Sequence, residues 1–177
     1  MFNQLHYLIS DLKRWPWKSL NEIFYNIFEF GIWAVIFYRL GRFLYLINIP
    51  IIKIFFRLLS FFIYKFTELF LGVVLRPGTD IGPGLYIGHT GNIRISSDVK
   101  AGKNLSIGTG VFIAMKGLGT KGVPVLGDNI YIGVGAKILG PIKIGNNVRV
   151  GANAVVVKDV PDNATVVGVP ARIIERN

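Results

Sequence analysis

Two histidines, His6 and His89, and no cysteine bound the chemistry open to this chain. Without a thiol there is no disulfide, no thiolate zinc site and no cysteine nucleophile, and the absence accords with a cytoplasmic location. An imidazole titrates near neutrality and suits the removal of a proton from a poor nucleophile such as a hydroxyl. His6 stands in the N-terminal tail. His89 closes the run Leu85-Tyr-Ile-Gly-His89 and occupies the third, outward place of a six-residue repeat, which makes it the candidate general base. A positioned base is worth about 10²–10⁴-fold in rate. A hydration site of carbonic-anhydrase type needs about three imidazoles around zinc, whereas the repeat region holds one, so no metal is expected.

The element that must position His89 is legible as a period of six. Leu126, Ile132, Ile138, Ile144, Val150 and Val156 recur every sixth residue, and Ile130, Ala136, Ile142, Val148, Ala154 and Val160 follow four places behind. Upstream the period runs through Ile95, Ala101, Ile107 and Ile113, with Val99, Leu105 and Val111 at the second offset. Ile81 and Ile87 begin it, and a two-residue slip separates them from Ile95. Neither a helical period of 3.6 nor a strand alternation produces this pattern. A triangular coil does: each hexad makes one short strand and one corner, and three hexads close a turn of 18 residues. Gly and Asn then take the corners, where positive φ or a crowded backbone is required. The expected fold is mainly β: a left-handed parallel β-helix of about four to five coils, preceded by an α-helical region.

Composition divides the chain at the same place. Of 13 Phe and 3 Trp, all but Phe112 precede residue 72, while 18 of 21 Gly lie from residue 78 onward. Residues 1–72 therefore read as a helical, apolar region, and 73–177 as the β-helix with an expelled, basic loop at 114–125. Residues 1–30 do not read as a cleavable signal peptide. The helical region shows apolar runs over 20–48 and 51–71, with Arg39 and Arg42 on one face of the first and Lys53 and Arg57 on one face of the second. No uncharged stretch reaches the roughly 18–20 residues that span a bilayer. Aromatic and basic helices of this kind suit an interfacial position, rings in the acyl boundary and cations at anionic headgroups; packing between subunits is the alternative. The net charge of +10 is spread without blocks of Lys or Arg, and nucleic acid is not expected as a partner.

The hexads, the segment Ile132-Gly-Val-Gly-Ala-Lys-Ile-Leu-Gly140 and the ending Val167-Gly-Val-Pro-Ala-Arg-Ile-Ile174 resemble the hexapeptide-repeat acetyltransferases. The resemblance runs toward serine O-acetyltransferases and the exopolysaccharide or colanic acid type of O-acetyltransferase. Phe37-Tyr-Arg-Leu-Gly-Arg42 is similar to the family's helix before the β-helix. The resemblance implies a homotrimer, with acetyl-CoA as co-substrate in grooves between neighbouring β-helices, and places the catalytic histidine at His89. CoA is anionic at its phosphates. Lys116 and Lys121 in the loop, with Lys137, Arg149 and Arg172, are the candidate phosphate partners. Gly117, Gly119, Thr120, Gly133 and Gly135 are candidates for close backbone approach to the rest of the cofactor. Any single one reads equally as a solvated charge or a corner residue; the cluster carries the expectation.

Departures from the resemblance bear on the acceptor. Serine acetyltransferases have an Asp immediately before the catalytic His and another fifteen residues before it; here those places hold Gly88 and Val74. Their Arg-His pair at the end of the loop corresponds to Gly122 and Val123. Burying an amino acid's carboxylate without a partner is costly. An uncharged acceptor is therefore expected: a sugar hydroxyl of a polysaccharide or its lipid-linked precursor, handled at the inner face of the cell membrane. Serine acetylation is the alternative. The orienting partner of His89 is left open, with Asp80 or a backbone carbonyl as candidates.

Overall fold

The computed structural model describes residues 3–50, 52–117, 119 and 121–174. Four helices come first: α1 (Asn3–Leu12), α2 (Leu20–Phe28), α3 (Phe30–Tyr45) and α4 (Lys53–Leu71). Gly72 ends α4 in the left-handed region at φ 63°, a conformation glycine adopts without strain. The chain then winds into a left-handed parallel β-helix of about five turns with three flat faces.

The first face stacks β1 (Val73–Leu75), β4 (Ile93–Ile95), β7 (Phe112–Ala114), β10 (Lys137–Leu139) and β13 (Val155–Val156). The second stacks β2 (Asp80–Ile81), β5 (Lys100–Ala101), β8 (Val125–Leu126) and β11 (Lys143–Ile144). The third stacks β3 (Tyr86–Ile87), β6 (Ser106–Ile107), β9 (Tyr131–Ile132), β12 (Arg149–Val150) and β14 (Thr165–Val167), closed by β15 (Arg172–Ile174), which runs antiparallel to β14. Every residue of the two aliphatic series is buried except Ala101, which is half-buried. Each fully buried Ile, Val or Leu is worth about 1.5–3 kcal/mol. The corners between the second and third faces carry Asn104, Asn129, Asn147 and Asn163, all at φ 56–62°. Their amides form a ladder, Asn104 Nδ2 donating to Asn129 Oδ1 at 2.8 Å and Asn129 to Asn147 at 2.9 Å.

A solenoid's first coil has backbone groups with no coil above them, because a parallel ladder turns alternate residues toward opposite neighbours. The helices cap this end. Tyr38 Oη donates to Thr79 O at 2.8 Å, and Arg39 donates to Ile81 O at 2.8 Å and Gly82 O at 2.7 Å. Arg42 reaches Pro77 O and Thr79 O, and Arg14 reaches Gly84 O at 2.7 Å. Asp11 accepts from the amides of Gly84 and Leu85, each at 2.7 Å, and from Arg39 Nε at 2.7 Å. Burial pushes the Asp11 carboxyl above the usual carboxylate range, against the pull of Arg39 and the two amides.

Three sequence expectations change here. The run 20–48 is two helices, α2 and α3, bent by 63° at Glu29. The N-terminal tail is a helix, α1, whose Asp11 is fully buried at the first coil. Arg39 and Arg42 share a face as expected, but that face meets the solenoid, and at 1% and 8% exposure neither is available to lipid headgroups. Uncapped carbonyls attract these guanidiniums more strongly than solvent does, since an orphaned buried polar group costs about 1–3 kcal/mol. Among the described residues no single helix is long and apolar enough to cross a membrane; α2 and α3 meet that test only as a bent pair.

Candidate active site

His89 stands just past β3, at the corner that leads from the third face to the first. Leu85 and Ile87 before it point into the core at 0% exposure; His89 lies beyond the end of the strand, where the corner breaks the alternation, and its side chain faces outward, 80% exposed. The two-residue slip in the repeat falls at this corner: β3 aligns with β6 and β4 with β7, so the extra residues sit between Ile87 and Ile93. Asn92 at φ 47° and Gly91 at φ 116° turn the enlarged corner back into register. Thr109 Oγ1, one coil below, donates to His89 O at 3.3 Å.

The corners beneath His89 are glycine-rich for a steric reason. A methyl built on Gly108 would lie 2.8 Å from Val134 N, and one on Gly133 2.6 Å from Ala152 N. Gly133, Gly135 and Lys137 therefore share the edge of the first face that His89 crowns, with the Lys137 ammonium donating to Gly135 O at 3.2 Å. Lys116, Gly117, Gly119 and Lys121 leave β7 at its far end, on the opposite edge of that face, where Lys116 packs against Gly140. A three-residue strand separates the groups, about 10 Å. Arg149 begins β12 on the third face, beside the asparagine ladder and Arg14. Arg172 lies on the exposed closing strand β15. Thr120 lies outside the described residues. Within one chain the candidate cofactor residues thus form separate groups, and only Gly133, Gly135 and Lys137 share the His89 edge.

Asp80 is not the partner of His89: its carboxylate is engaged by Arg42 at the second face. The carboxylate beside the imidazole is Glu29, from the elbow between α2 and α3, whose Oε2 is 3.6 Å from His89 Nδ1. No local pattern marks it, because its relation to His89 exists only once α3 docks on the first coil. At the remaining places of interest, Val74 projects from β1 beside Arg94, Gly122 holds φ 102°, and Val123 packs against the core.

Residues 124–158 match the bacterial transferase hexapeptide (six repeats) family. A serine acetyltransferase of Mycobacterium tuberculosis is 45% identical over 119 residues, covering 67% of this chain and 52% of the relative. The chain thus spans about half the length of that curated relative. The crystal structure of Neisseria gonorrhoeae serine acetyltransferase superposes with a TM-score of 0.84 at 31% identity, covering 99% of this chain and 67% of that one. A serine acetyltransferase from Brucella abortus in complex with coenzyme A superposes with a TM-score of 0.82 at 28% identity, covering 96% and 66%.

Proposed function

We propose, from the premise that the chain belongs to the hexapeptide-repeat transferase family together with the serine acetyltransferases, that it is an acetyl-CoA-dependent O-acetyltransferase. The observation that carries the reading is an outward imidazole at the enlarged corner of the first coil, above a column of corners that only glycine fits. His89 takes the proton of an acceptor hydroxyl, and the oxygen attacks the thioester carbonyl. The tetrahedral species collapses with loss of the CoA thiolate, to which His89 returns the proton; the products are an acetyl ester and free CoA.

The division of the cofactor candidates between two edges supports a homotrimer. A three-fold assembly joins unlike surfaces, so the loop edge of one copy, with Lys116 and Lys121, comes to the His89 edge of the next. Acetyl-CoA lies in the groove between them.

The named relatives favour L-serine, the alternative of the sequence reading, over a sugar hydroxyl. One observation favours the second acceptor. Where the resemblance expects an arginine, Gly122 holds φ 102° and a methyl there would lie 2.8 Å from Pro141 Cβ, so a larger side chain is strained. The neighbouring histidine's place is filled by Val123 against the core, and the residue immediately before His89 is Gly88 rather than an aspartate. An uncharged glycan hydroxyl, presented at the inner membrane face, suits a site without these partners. Exposed Phe24, Phe28, Phe55, Phe62 and Phe70 support peripheral membrane contact, which flotation with anionic vesicles tests.

Thiol release from acetyl-CoA by the purified chain, with L-serine or a glycan panel as sole acceptor, separates the two acceptors. Alkali lability of the product distinguishes ester from amide. Turnover by His89→Ala close to that of the unsubstituted chain removes the mechanism.

A further inference from the structure

We infer that Glu29, a carboxylate supplied by the helical region, is the positioning residue of His89. The inference rests on the O-acetyltransferase reading, in which His89 must present Nε2 to the acceptor. A neutral imidazole does so only if its proton sits on Nδ1, and a carboxylate beside Nδ1 holds that tautomer and steadies the imidazolium formed when the acceptor's proton arrives. The Glu29 carboxylate lies 3.6 Å from Nδ1. That is ion-pair range and longer than a hydrogen bond; contacts of this kind commonly tighten when substrate binds.

Three observations make the placement a built feature. First, α3 lies directly on the strand that carries His89: a methyl on Gly31 would be 1.9 Å from Ile87 O and 3.1 Å from Gly88 O. Only a glycine at position 31 allows the elbow to come so close, two residues from Glu29. Second, α3 is held along its length by Tyr38, Arg39 and Arg42 on the first coil, and the elbow is braced by Trp33 Nε1 donating to Ile27 O at 2.8 Å. Third, the Glu29 side chain does not cap α3, so its carboxylate is not committed to the helix end. Gly88 and Val74 leave the solenoid itself without a carboxylate at either place where the resemblance expects one. The enlarged corner turns His89 toward the elbow instead.

The test is Glu29→Gln in the full chain, which keeps size and removes charge. We expect kcat to fall about 10- to 100-fold, the usual effect of losing a histidine's orienting partner, with KM for acetyl-CoA within twofold. In a His89→Ala background the same substitution should cost nothing further, because the two act as a unit. Nitrogen-15 spectra of the neutral ring should show an excess of the Nδ1–H tautomer that Glu29→Gln abolishes, and Glu29→Asp should retain part of it. An unchanged kcat with an unchanged tautomer ratio, or a full additive loss in the His89→Ala background, overturns the assignment. If the unsubstituted chain transfers acetyl to no acceptor, the functional reading fails, and the tautomer ratio still decides for or against the pair.

Discussion

Replacing Arg39 by methionine tests the claim that the helices are held by the solenoid's unpaired end. Arg39 is 1% exposed and makes four hydrogen bonds of 3.2 Å or less: two to Asp11 and one each to Ile81 O and Gly82 O. Methionine keeps most of the volume and removes every donor. Asp11, 0% exposed, then keeps only the Gly84 and Leu85 amides. Breaking a buried pair from one side costs about 3–5 kcal/mol. For a chain of 177 residues that lowers Tm by roughly 6–20 °C, at about 2–4 °C per kcal/mol. The double variant Asp11→Leu/Arg39→Met is more telling. Swapping a simple buried ion pair for apolar groups is often neutral or stabilising. Here it strips partners from two carbonyls and two amides, so the double variant should stay at least about 2 kcal/mol below the unsubstituted chain. Circular dichroism melts and urea titrations at neutral pH read both. Because burial raises the folded-state value of Asp11 above 3.8, the folded chain holds a proton that the unfolded chain has released. That contribution is full below 3.8 and is lost as pH rises through the folded-state value; because Arg39 pulls this value down, Arg39→Met raises it further, the variant gains more from protonation, and its deficit should narrow on acidification. A double variant as stable as the parent would refute the capping argument.

Gly31→Ala forces a methyl against Ile87 O at 1.9 Å and should cost about 1–3 kcal/mol, with turnover falling because the elbow lifts from the His89 corner; parent-like melting would refute the close approach. Asn129→Ala places an ordinary residue at φ 58° and breaks the ladder, costing about 1–2 kcal/mol, whereas Asn129→Gly should recover the conformational part; thermal melts separate them. Replacing Lys116 and Lys121 together by alanine should weaken CoA binding several-fold, and less so at high salt, where exposed charges are screened; calorimetry across ionic strength checks the trend.

Much of the solenoid is written locally. Each hexad buries its own two aliphatic residues, so Ile81 through Val160 disclose which way every side chain faces, and the same count turns His89 outward and marks the slip at its corner. The excursion after β7 is legible as the place where the period stops, although Ala114 and Val125, expected in the loop, are the end of β7 and the start of β8. Nothing local disclosed the helices' role. Arg39 and Arg42 carry the pattern of a solvent- or lipid-facing pair, yet the first coil's unshared carbonyls draw them inward. The α2–α3 bend at Glu29, the burial of Asp11 and the approach of Glu29 to His89 all require two distant segments to meet. A repeat encodes its interior in its period, because inside and outside alternate within a few residues. The docking of a helix on a coil depends on shape and unpaired backbone groups at both surfaces, which exist only after each has folded.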